Sequence, residues 1–353
     1  MNFNKHIKIG DRVVGEGYPC FIIAEAGVNH DGDVQKAKEL VDIAVEAGAD
    51  AVKFQAFTGE KLASKDAVLA TYHKKGAVSK DETLKALLKR LELNEGGHKE
   101  VYRYAREKGI MVFSTPFDED SADFLVELGV DLFKIASFSL TNYPFLQHVA
   151  KKGLPMIMST GLHTLGEIEE AARAIHDAGN KQLVLLQCTA HYPCYPSDVN
   201  LRVMETLRSA FQLPVGYSDH TMGINVTLAS VAMGANVIEK HFTFDIDSFG
   251  VDHDASISPK ELKELVKGTR EIESALGRSV KIIPEIEKEI QRVHRPSIIS
   301  SVDIPAGTVI SREMLEIKKP GTGIHPRDMH WVIGRKTKTT IEADRLIRRE
   351  DLE

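Results

Sequence analysis

The chain has 353 residues, of which 42% are hydrophobic and 27% charged, an ordinary balance for a soluble globular protein. Its net charge of −6 argues against general binding to nucleic acid or to anionic membranes. Three cysteines without a CxxC pair argue against a disulfide framework or a structural zinc site. No signal-peptide core is present, and no apolar run approaches the roughly 18 residues of a membrane span, so we expect a cytoplasmic protein.

Eight short apolar runs alternate with segments of helical spacing. Continuous Val, Ile, Leu and Phe content over a few residues predicts strands that are covered on both faces. The runs begin at Phe21, Ala51, Met111, Leu132, Pro155, Leu183, Pro214 and Val237. Eight strand and helix pairs in roughly 250 residues predict a (β/α)8 TIM barrel, an α/β fold whose catalytic side chains come from the carboxyl ends of the strands.

The barrel is expected to occupy residues 1–277, followed by a helical linker over 278–294 and a small, mostly-β domain over 295–353. Within this last domain, residues 303–316 and 340–353 share a pattern of a turn, two apolar residues and a short charged helix. The longest interval between strands includes residues 61–100 and suggests a lid or specificity element, because long loops on the catalytic face usually carry function.

Two histidines follow the last two predicted strands, His220 and His241. Their imidazoles can converge above the barrel and would suit a divalent transition metal that retains waters. Asp219 and Glu239 could orient the rings. The alternative is that both histidines are simply hydrogen-bonded or exposed.

A candidate anion site lies at other strand ends. Two ammonium groups supply charge, and hydroxyls with a glycine-containing turn supply directed donors for phosphate oxygens. The residues are Lys53, Lys134, Ser137, Ser159, Gly161 and Ser218. The rival reading is a Schiff-base nucleophile, at Lys53, Lys134 or Lys240.

Acidic residues follow the first and last predicted strands. Glu25 opens the segment EAGVNHDG and could act as a general base or hold a substrate hydroxyl, unless it caps the next helix. Asp252, His253 and Asp254 lie in a loop after the eighth strand and could bind polyol hydroxyls, or could be solvated turn residues.

The motifs of this chain resemble those of the sialic acid synthase (N-acetylneuraminate synthase) family. They are, in order, AEAGVNHDG, VKFQ, TPF, FKIAS, STG, QCTAHYP, GYSDHT and EKHFT. The resemblance covers essentially the whole chain, because the segment from Arg295 is similar to the antifreeze-like (SAF) domain that follows the barrel in that family.

The resemblance implies condensation of phosphoenolpyruvate with an N-acetylated amino sugar such as N-acetylmannosamine, dependent on Mn²⁺ or Mg²⁺. Catalysis would involve Glu25, His220 and His241, with the metal on the two histidines. Phosphoenolpyruvate would be held by Lys53, Lys134, Ser137, Ser159, Gly161 and Ser218. The sugar would be bound by Gln55, Tyr192, Asp252 and Lys319, and Glu25, Gln55, Tyr192 and Asp252 would handle the sugar and the proton transfers.

The position of Lys319 in the tail further implies a homodimer, in which the tail of one subunit reaches the sugar site of the other. Three residues depart from the family pattern, namely Ser139, Ala190 and Lys319. They leave the reaction type intact and the sugar open, since related synthases make legionaminic, pseudaminic or spore-coat sugars. The competing functions are a Schiff-base aldolase on the same barrel and a non-catalytic binding protein in which the tail is the functional part.

Overall fold

The eight predicted strands form one parallel sheet in the computed structural model, which describes residues 1–69, 76–79 and 81–353. Two short strands precede them, β1 (His6–Ile9) and β2 (Arg12–Gly15). The eight are β3 (Phe21–Gly27), β4 (Ala51–Ala56), β5 (Met111–Pro116), β6 (Phe133–Ile135), β7 (Met156–Ser159), β8 (Leu183–Cys188), β9 (Val215–Asp219) and β10 (Val237–His241). Their order is β5-β4-β3-β10-β9-β8-β7-β6, and the outer strands β5 and β6 contact each other. The predicted TIM-type barrel is confirmed.

Helices follow the strands and cover the outside of the sheet. They are α1 (Val34–Ala47), α2 (Gly59–Leu62), α3 (Leu84–Leu91), α4 (Glu95–Glu107), α5 (Glu119–Glu127), α6 (Tyr143–Ala150), α7 (Leu165–Asp177), α8 (Val203–Phe211), α9 (Asn225–Ala232) and α10 (Pro259–Leu276). Local sequence explains their ends. Ser258 and Glu261 form a capping box at the start of α10, and Gly48 ends α1 with a φ of 78°. Within the described residues, no helix combines the length and apolarity that crossing a membrane requires.

The strand register brings the predicted functional residues together. Glu25 lies beside His241 on one neighbouring strand and beside Lys53 on the other. Ser218 lies beside Glu239. Because all eight strands are parallel, these positions share the carboxyl end of the barrel, where TIM-barrel active sites lie.

An antiparallel hairpin that we did not predict precedes the barrel. It is formed by β1 and β2, and its side chains Ile7, Ile9 and Val14 are buried in the same apolar cluster as the barrel strands. A Cβ on Gly10, in the hairpin turn, would lie 2.8 Å from Cε of Met111, at the start of β5. The hairpin therefore packs against the amino end of the barrel, opposite the predicted site.

The chain divides into two compact units, Met1–Gly277 and Arg278–Glu353. The second begins with α11 (Glu285–His294), followed by the antiparallel strands β11 (Ser297–Ser300) and β12 (Leu315–Lys318) and by α12 (Met329–Val332). Its apolar core is separate and consists of Ile298, Ile304, Ile310, Leu315, Ile324, Val332, Ile341, Ile347 and Leu352. The two similar segments each carry a short 3-10 turn, Arg312–Met314 and Arg349–Asp351. The internal similarity seen in the sequence thus has a structural counterpart.

The proposed lid segment, residues 61–100, is described only in part. Residues 70–75 and 80 lie outside the described residues. Its described part contains α3, whose buried leucines Leu87 and Leu91 form a small apolar cluster with Val28, Phe57 and Val251. This cluster is distinct from the barrel core and lies next to the site described below.

Candidate active site

Most of the predicted site residues line one polar cavity at the carboxyl end of the barrel. They are Glu25, Lys53, Gln55, Lys134, Ser137, Ser159, Tyr192, Ser218, His220 and His241. Two more adjoin it. The backbone N–H of Gly161 donates to Oγ of Ser137 at 3.0 Å, and Asp252 lines a second cavity that shares Gln55, Tyr192 and His241 with the first. Lys319 lies in the second unit, and its predicted role stays a prediction.

Two lysines and two glutamates form a buried charge cluster in this cavity. Nζ of Lys53 lies 2.8 Å from Glu25 and 3.6 Å from Glu239, and it donates to Oγ1 of Thr115 at 2.9 Å. Nζ of Lys134 lies 3.6 Å from Glu239. Glu239 therefore lies between the two ammonium groups, which keeps like charges apart and partly compensates their loss of water.

The pKa values of the two glutamates are shifted in opposite directions. Burial raises the pKa of Glu25 to about 7, against the opposing charge of Lys53. Burial also acts on Glu239, but the charges of Lys134 and Lys53 outweigh it and hold the pKa of that carboxyl below its usual range. Near neutral pH, Glu239 is therefore ionised and Glu25 is free to gain or lose a proton. Carboxyls with separated pKa values in one site are typical of acid and base pairs.

The part of the cavity around Lys134 is rich in hydrogen-bond donors. Nζ of Lys134 donates to Oγ of Ser159 at 2.7 Å. A Cβ on Gly161 would lie 3.0 Å from Oγ of Ser137 and 3.2 Å from the backbone nitrogen of Ala190, so glycine permits the close approach of this turn. Ammonium groups and hydroxyls are the donors that phosphate and carboxylate groups require.

The two predicted metal ligands lie side by side. The ring centroids of His220 and His241 are 5.4 Å apart, and the ring of Tyr192 packs 4.1 Å from that of His220. Nδ1 of His220 contacts the carbonyl oxygen of Thr189 at 2.9 Å. Because a carbonyl can only accept, Nδ1 carries the proton in the neutral ring, and Nε2 then has the lone pair, as in metal-binding histidines held by an outer hydrogen bond. Burial lowers the pKa of His220, but the neighbouring Cys188 outweighs burial and the net shift is upward, so a metal at Nε2 would compete with a proton.

His241 is held in a crowded position. A Cβ on Gly27 would lie 3.1 Å from Oδ2 of Asp252 and 3.2 Å from Cε1 of His241, and Gly27 has a φ of 54°. Only glycine meets both conditions easily. Glu25 and His241 are direct register partners on neighbouring parallel strands, so their side chains lie on the same face and share the cavity.

The residues present fit a divalent metal with open coordination positions. Burial holds the pKa of His241 well below its usual range, so its ring is neutral and has a lone pair. Nδ1 of His241 is buried and has no hydrogen-bond partner among the described residues, with Oδ2 of Asp252 3.8 Å away. In the described part of the chain, no group of three or more His, Cys, Asp or Glu residues is arranged to hold a metal. Two imidazoles would therefore leave positions for water or substrate.

The expected orienting role of Asp219 is wrong, and the polar contacts of Glu239 are to Lys53, Lys134 and the hydroxyl of Ser218. Asp219 lies 2.9 Å from Nζ of Lys240 and accepts from the hydroxyl of Thr227, on α9. Successive strand residues point to opposite faces, so Asp219 and Lys240 lie between the sheet and its helices while Ser218 and His241 face the cavity. This placement also removes Lys240 from the Schiff-base candidates.

Sequence reasoning missed the position of Glu239 between the lysines and the contact of Thr115 with Lys53. A signal was present, because Glu239 and His241 are two residues apart on one strand and must face the same side. His253, in the loop after β10, lies 2.7 Å from the hydroxyl of Thr243 and is a structural residue of that loop.

Comparison with known proteins places the chain in a family. The NeuB family model matches residues 40–281, and the SAF domain model matches residues 295–353. The chain is 46% identical over 357 residues to N,N'-diacetyllegionaminic acid synthase of Legionella pneumophila, covering 100% of both chains. It is 38% identical to human N-acetylneuraminate-9-phosphate synthase, over 96% of this chain and 94% of the relative.

A solved structure shares the fold at a comparable level of identity. The crystal structure of N-acetylneuraminic acid (sialic acid) synthetase from Leptospira borgpetersenii, in complex with citrate, is 35% identical with a TM-score of 0.73. The match covers 82% of this chain and 96% of that one. The predicted resemblance is thereby confirmed, and the chain belongs to the sialic acid synthase (NeuB) family, with a TIM-type barrel followed by an SAF domain.

Proposed function

We propose that the protein condenses phosphoenolpyruvate with the open-chain aldehyde of an N-acetylated amino sugar, N-acetylmannosamine or a related 2-acetamido sugar. Water is the third reactant, and the products are a nonulosonic acid and phosphate. The observation that carries the proposal is one cavity in which two buried lysines and a titratable glutamate meet two adjacent imidazoles. The names of the relatives, synthases of legionaminic and sialic acids, support the product class.

Phosphoenolpyruvate is assigned to the donor-rich half of the cavity. Its phosphate and carboxylate would be held by Lys53, Lys134, Ser137, Ser159, Gly161 and Ser218. With Glu239 ionised and Glu25 protonated, the cluster carries one net positive charge, which suits an anionic substrate. Oε2 of Glu239 is buried without a hydrogen-bond donor among the described residues, so a substrate or water that donates there would satisfy it.

The sugar is assigned to the half nearest the imidazoles. Gln55, Tyr192 and Asp252 would bind its hydroxyl and acetamido groups. His220 and His241 would hold Mn²⁺ or Mg²⁺, which when bound supplies Lewis-acid polarisation of a carbonyl oxygen. The chain's own contribution is to place the aldehyde carbon next to phosphoenolpyruvate and to keep both imidazoles in fixed orientations.

The reaction balances without a covalent enzyme intermediate. C3 of phosphoenolpyruvate forms a bond to the aldehyde carbon, and the aldehyde oxygen takes a proton. Water adds to C2, and the bond between C2 and the phosphate oxygen breaks as the keto group forms. The water supplies two protons. One balances the proton taken up by the new hydroxyl group, and the other is released on hydrogen phosphate. Glu25, whose pKa lies near 7 through burial, is the group suited to carry a proton between these positions.

A Schiff-base aldolase is the second candidate, favoured by one observation. Burial and the nearby charge of Lys53 lower the pKa of Lys134, which is what a nucleophilic lysine requires. Borohydride reduction in the presence of pyruvate distinguishes the two, because only an aldolase becomes covalently labelled. We expect no added mass on the protein.

The direct test measures phosphate release from phosphoenolpyruvate with a panel of 2-acetamido sugars, with and without Mn²⁺. We expect sugar-dependent release that chelation abolishes and Mn²⁺ restores. His220→Ala should respond to neither treatment. Labelling by borohydride without phosphate release, or full activity of a metal-stripped sample, would contradict the proposal.

A further inference from the structure

Asn29 is a buried side chain that has no part in the reaction proposed above, although it links three segments around the site. It lies in the turn after β3, within the sequence segment EAGVNHDG, and is only 1% exposed. Its side-chain NH2 group donates to the carbonyl oxygen of Phe242 at 2.8 Å and to Oγ of Ser256 at 2.9 Å. Both partners lie far away in the sequence, beyond the end of β10.

The first of these hydrogen bonds acts on the strand end that carries His241. Phe242 follows His241 directly, and its N–H donates to the carbonyl oxygen of Glu25 at 3.0 Å. Since the carbonyl oxygen of Phe242 accepts from Asn29, both polar backbone groups of that residue are held by β3 and its turn. A functional side chain keeps its geometry only where the surrounding hydrogen bonds fix its position. Asn29 therefore helps to fix His241 relative to Glu25.

The second hydrogen bond acts on the loop that carries Asp252. Ser256 accepts from Asn29 and donates its own hydroxyl hydrogen to the carbonyl oxygen of Asp252 at 2.7 Å. A hydroxyl can donate and accept at once, so the two bonds form one continuous chain. All three residues are buried. One amide is thereby tied to the loop of Asp252 and to the strand end of His241.

The side chains of Asp252 and His241 have little room for displacement. Oδ2 of Asp252 lies 3.8 Å from Nδ1 of His241, and a Cβ on Gly27 would come within 3.1 Å of the first side chain and 3.2 Å of the second. Oδ1 of Asn29 is buried and has no donor among the described residues, so this amide supplies its N–H donors. An aliphatic side chain of similar size could fill the position but could not make either bond.

We propose that Asn29 is a positioning residue, which holds His241 and Asp252 in place relative to each other and to Glu25. The inference rests on the proposed function, which assigns the metal to His241 and the sugar to Asp252. The two hydrogen bonds have separable tasks. The bond to Phe242 keeps the imidazole in place for the metal, and the bond to Ser256 keeps the carboxyl group in place for the sugar.

Two variants of the full-length protein separate these tasks. Asn29→Ala removes both bonds, so the dissociation constant for Mn²⁺ should rise by about 10-fold, as when an outer partner of a metal ligand is lost. The KM for the sugar should rise by about 10-fold as well. Ser256→Ala removes only the branch to Asp252, so it should raise the KM for the sugar and leave Mn²⁺ binding unchanged. Neither variant should change the KM for phosphoenolpyruvate.

The measurements separate metal binding from turnover. Electron paramagnetic resonance of free Mn²⁺ gives the dissociation constant without any reaction. Phosphate release gives both KM values, with the 2-acetamido sugar of the panel that the unmodified chain uses best. The double variant Asn29→Ala/Ser256→Ala should have a KM for the sugar no higher than that of Asn29→Ala, since both residues belong to one chain of hydrogen bonds.

A matched asparagine shows whether the loss of any buried amide has the same effect. Asn180 is also buried, and its Nδ2 donates to the carbonyl oxygen of Leu154 at 2.8 Å. It precedes β8 and so lies at the amino end of the barrel, away from the site. Asn180→Ala should lower the free energy of unfolding but keep both KM values and the dissociation constant for Mn²⁺.

The outcomes distinguish the inference from the proposed function. Unchanged Mn²⁺ binding and sugar KM in Asn29→Ala, or the same losses in Asn180→Ala, would overturn the inference and leave the proposed function standing. If Asn29→Ala does not fold, Ser256→Ala decides, and a normal KM for the sugar overturns the inference. If the unmodified chain releases no phosphate with any sugar, the proposed function fails, and the Mn²⁺ dissociation constants alone decide the inference.

Discussion

At the scale of single residues, Glu25 and Glu239 illustrate how one buried cluster gives two carboxyls different tasks. Glu239 lies between two ammonium groups at 3.6 Å each, whereas Glu25 has the ammonium of Lys53 alone at 2.8 Å. Burial disfavours the charged form of both, but only Glu239 receives enough positive charge to overcome it. Glu239 is therefore a fixed charge, and Glu25 is the proton carrier.

This difference predicts a pH dependence. If Glu25 acts as a base, kcat/KM falls as the pH drops through about 7, because the raised pKa leaves the carboxyl protonated below that value. Glu25→Gln should lower kcat by about 10²- to 10⁴-fold and remove this acidic limb. Glu264→Gln, at an exposed position on α10, should change neither. Steady-state kinetics between pH 5 and 9, in overlapping buffers, would make the comparison; an acidic limb that survives in Glu25→Gln would assign it to another group.

Lys134 is predicted to act on phosphoenolpyruvate and not on the sugar. Lys134→Met removes a charge-assisted contact worth about 1.5 to 3 kcal/mol, which corresponds to an increase of roughly 10- to 150-fold in the KM for phosphoenolpyruvate. The KM for the sugar should change far less. Lys181→Met, at the exposed start of the segment before β8, provides the control. A larger effect on the sugar would contradict the assignment.

The sequence alone predicted that His220 and His241 lie close together. It did not predict correctly on which face of the sheet Asp219 lies. His220 and His241 were expected to converge because they follow adjacent strands, and their rings do lie 5.4 Å apart. Asp219 precedes His220 directly, but strand alternation points its side chain to the opposite face, toward Thr227 on α9. The separation of the two glutamate pKa values depends on distances of a few ångströms, which no sequence pattern specifies.

At the scale of elements, the strand ends build the polar half of the site and an inserted helix builds the apolar half. The eight apolar strand runs are short, but they recur between helical segments and are bounded by turns, and this repetition predicts the barrel strands. Helix α3 lies in an insertion without a barrel counterpart, and its packing on Val251 joins residues far apart in sequence. The sequence does not indicate the hairpin of β1 and β2, because its strands have only four residues each and include charged side chains.

The hairpin is predicted to stabilise the barrel without affecting chemistry. Ile9 is fully buried, so Ile9→Ala should lower the free energy of unfolding by about 2 to 5 kcal/mol. The kcat should not change, because the hairpin packs at the end of the barrel opposite the site. Urea unfolding measures the effect, and Lys8→Ala, exposed on the other face of the same strand, should be close to neutral. A loss of kcat in folded Ile9→Ala would show that the hairpin reaches the site.

At the scale of the whole molecule, helix α11 of the second unit carries a stripe of exposed apolar side chains. Ile286, Ile290 and Val293 on α11 are 81%, 55% and 54% exposed. Their spacing places them on one side of the helix, and a stripe of this kind usually packs against another surface. A second copy of the chain is the partner that we expect, which agrees with the homodimer that the family resemblance implied.

The dimer prediction includes a shared active site. If the tail of one subunit completes the sugar site of the other, truncation before Arg295 should leave a folded barrel with little condensing activity. Sedimentation analysis should find the full chain dimeric. A strictly monomeric enzyme at working concentration, or a truncated barrel as active as the full chain, would contradict the model.

A mixed dimer separates a shared site from a merely stabilising tail. Lys319→Ala damages only the tail residue, and Glu25→Ala damages only the barrel, so each homodimer should have low activity. In a mixed dimer, one of the two sites would combine an intact barrel with an intact tail, and activity should rise well above that of either parent, toward half of the unmodified level. If each tail served its own barrel, both sites would keep one defect and mixing would restore nothing. Phosphate release after co-expression, with separately purified parents as controls, therefore decides whether Lys319 acts across the dimer.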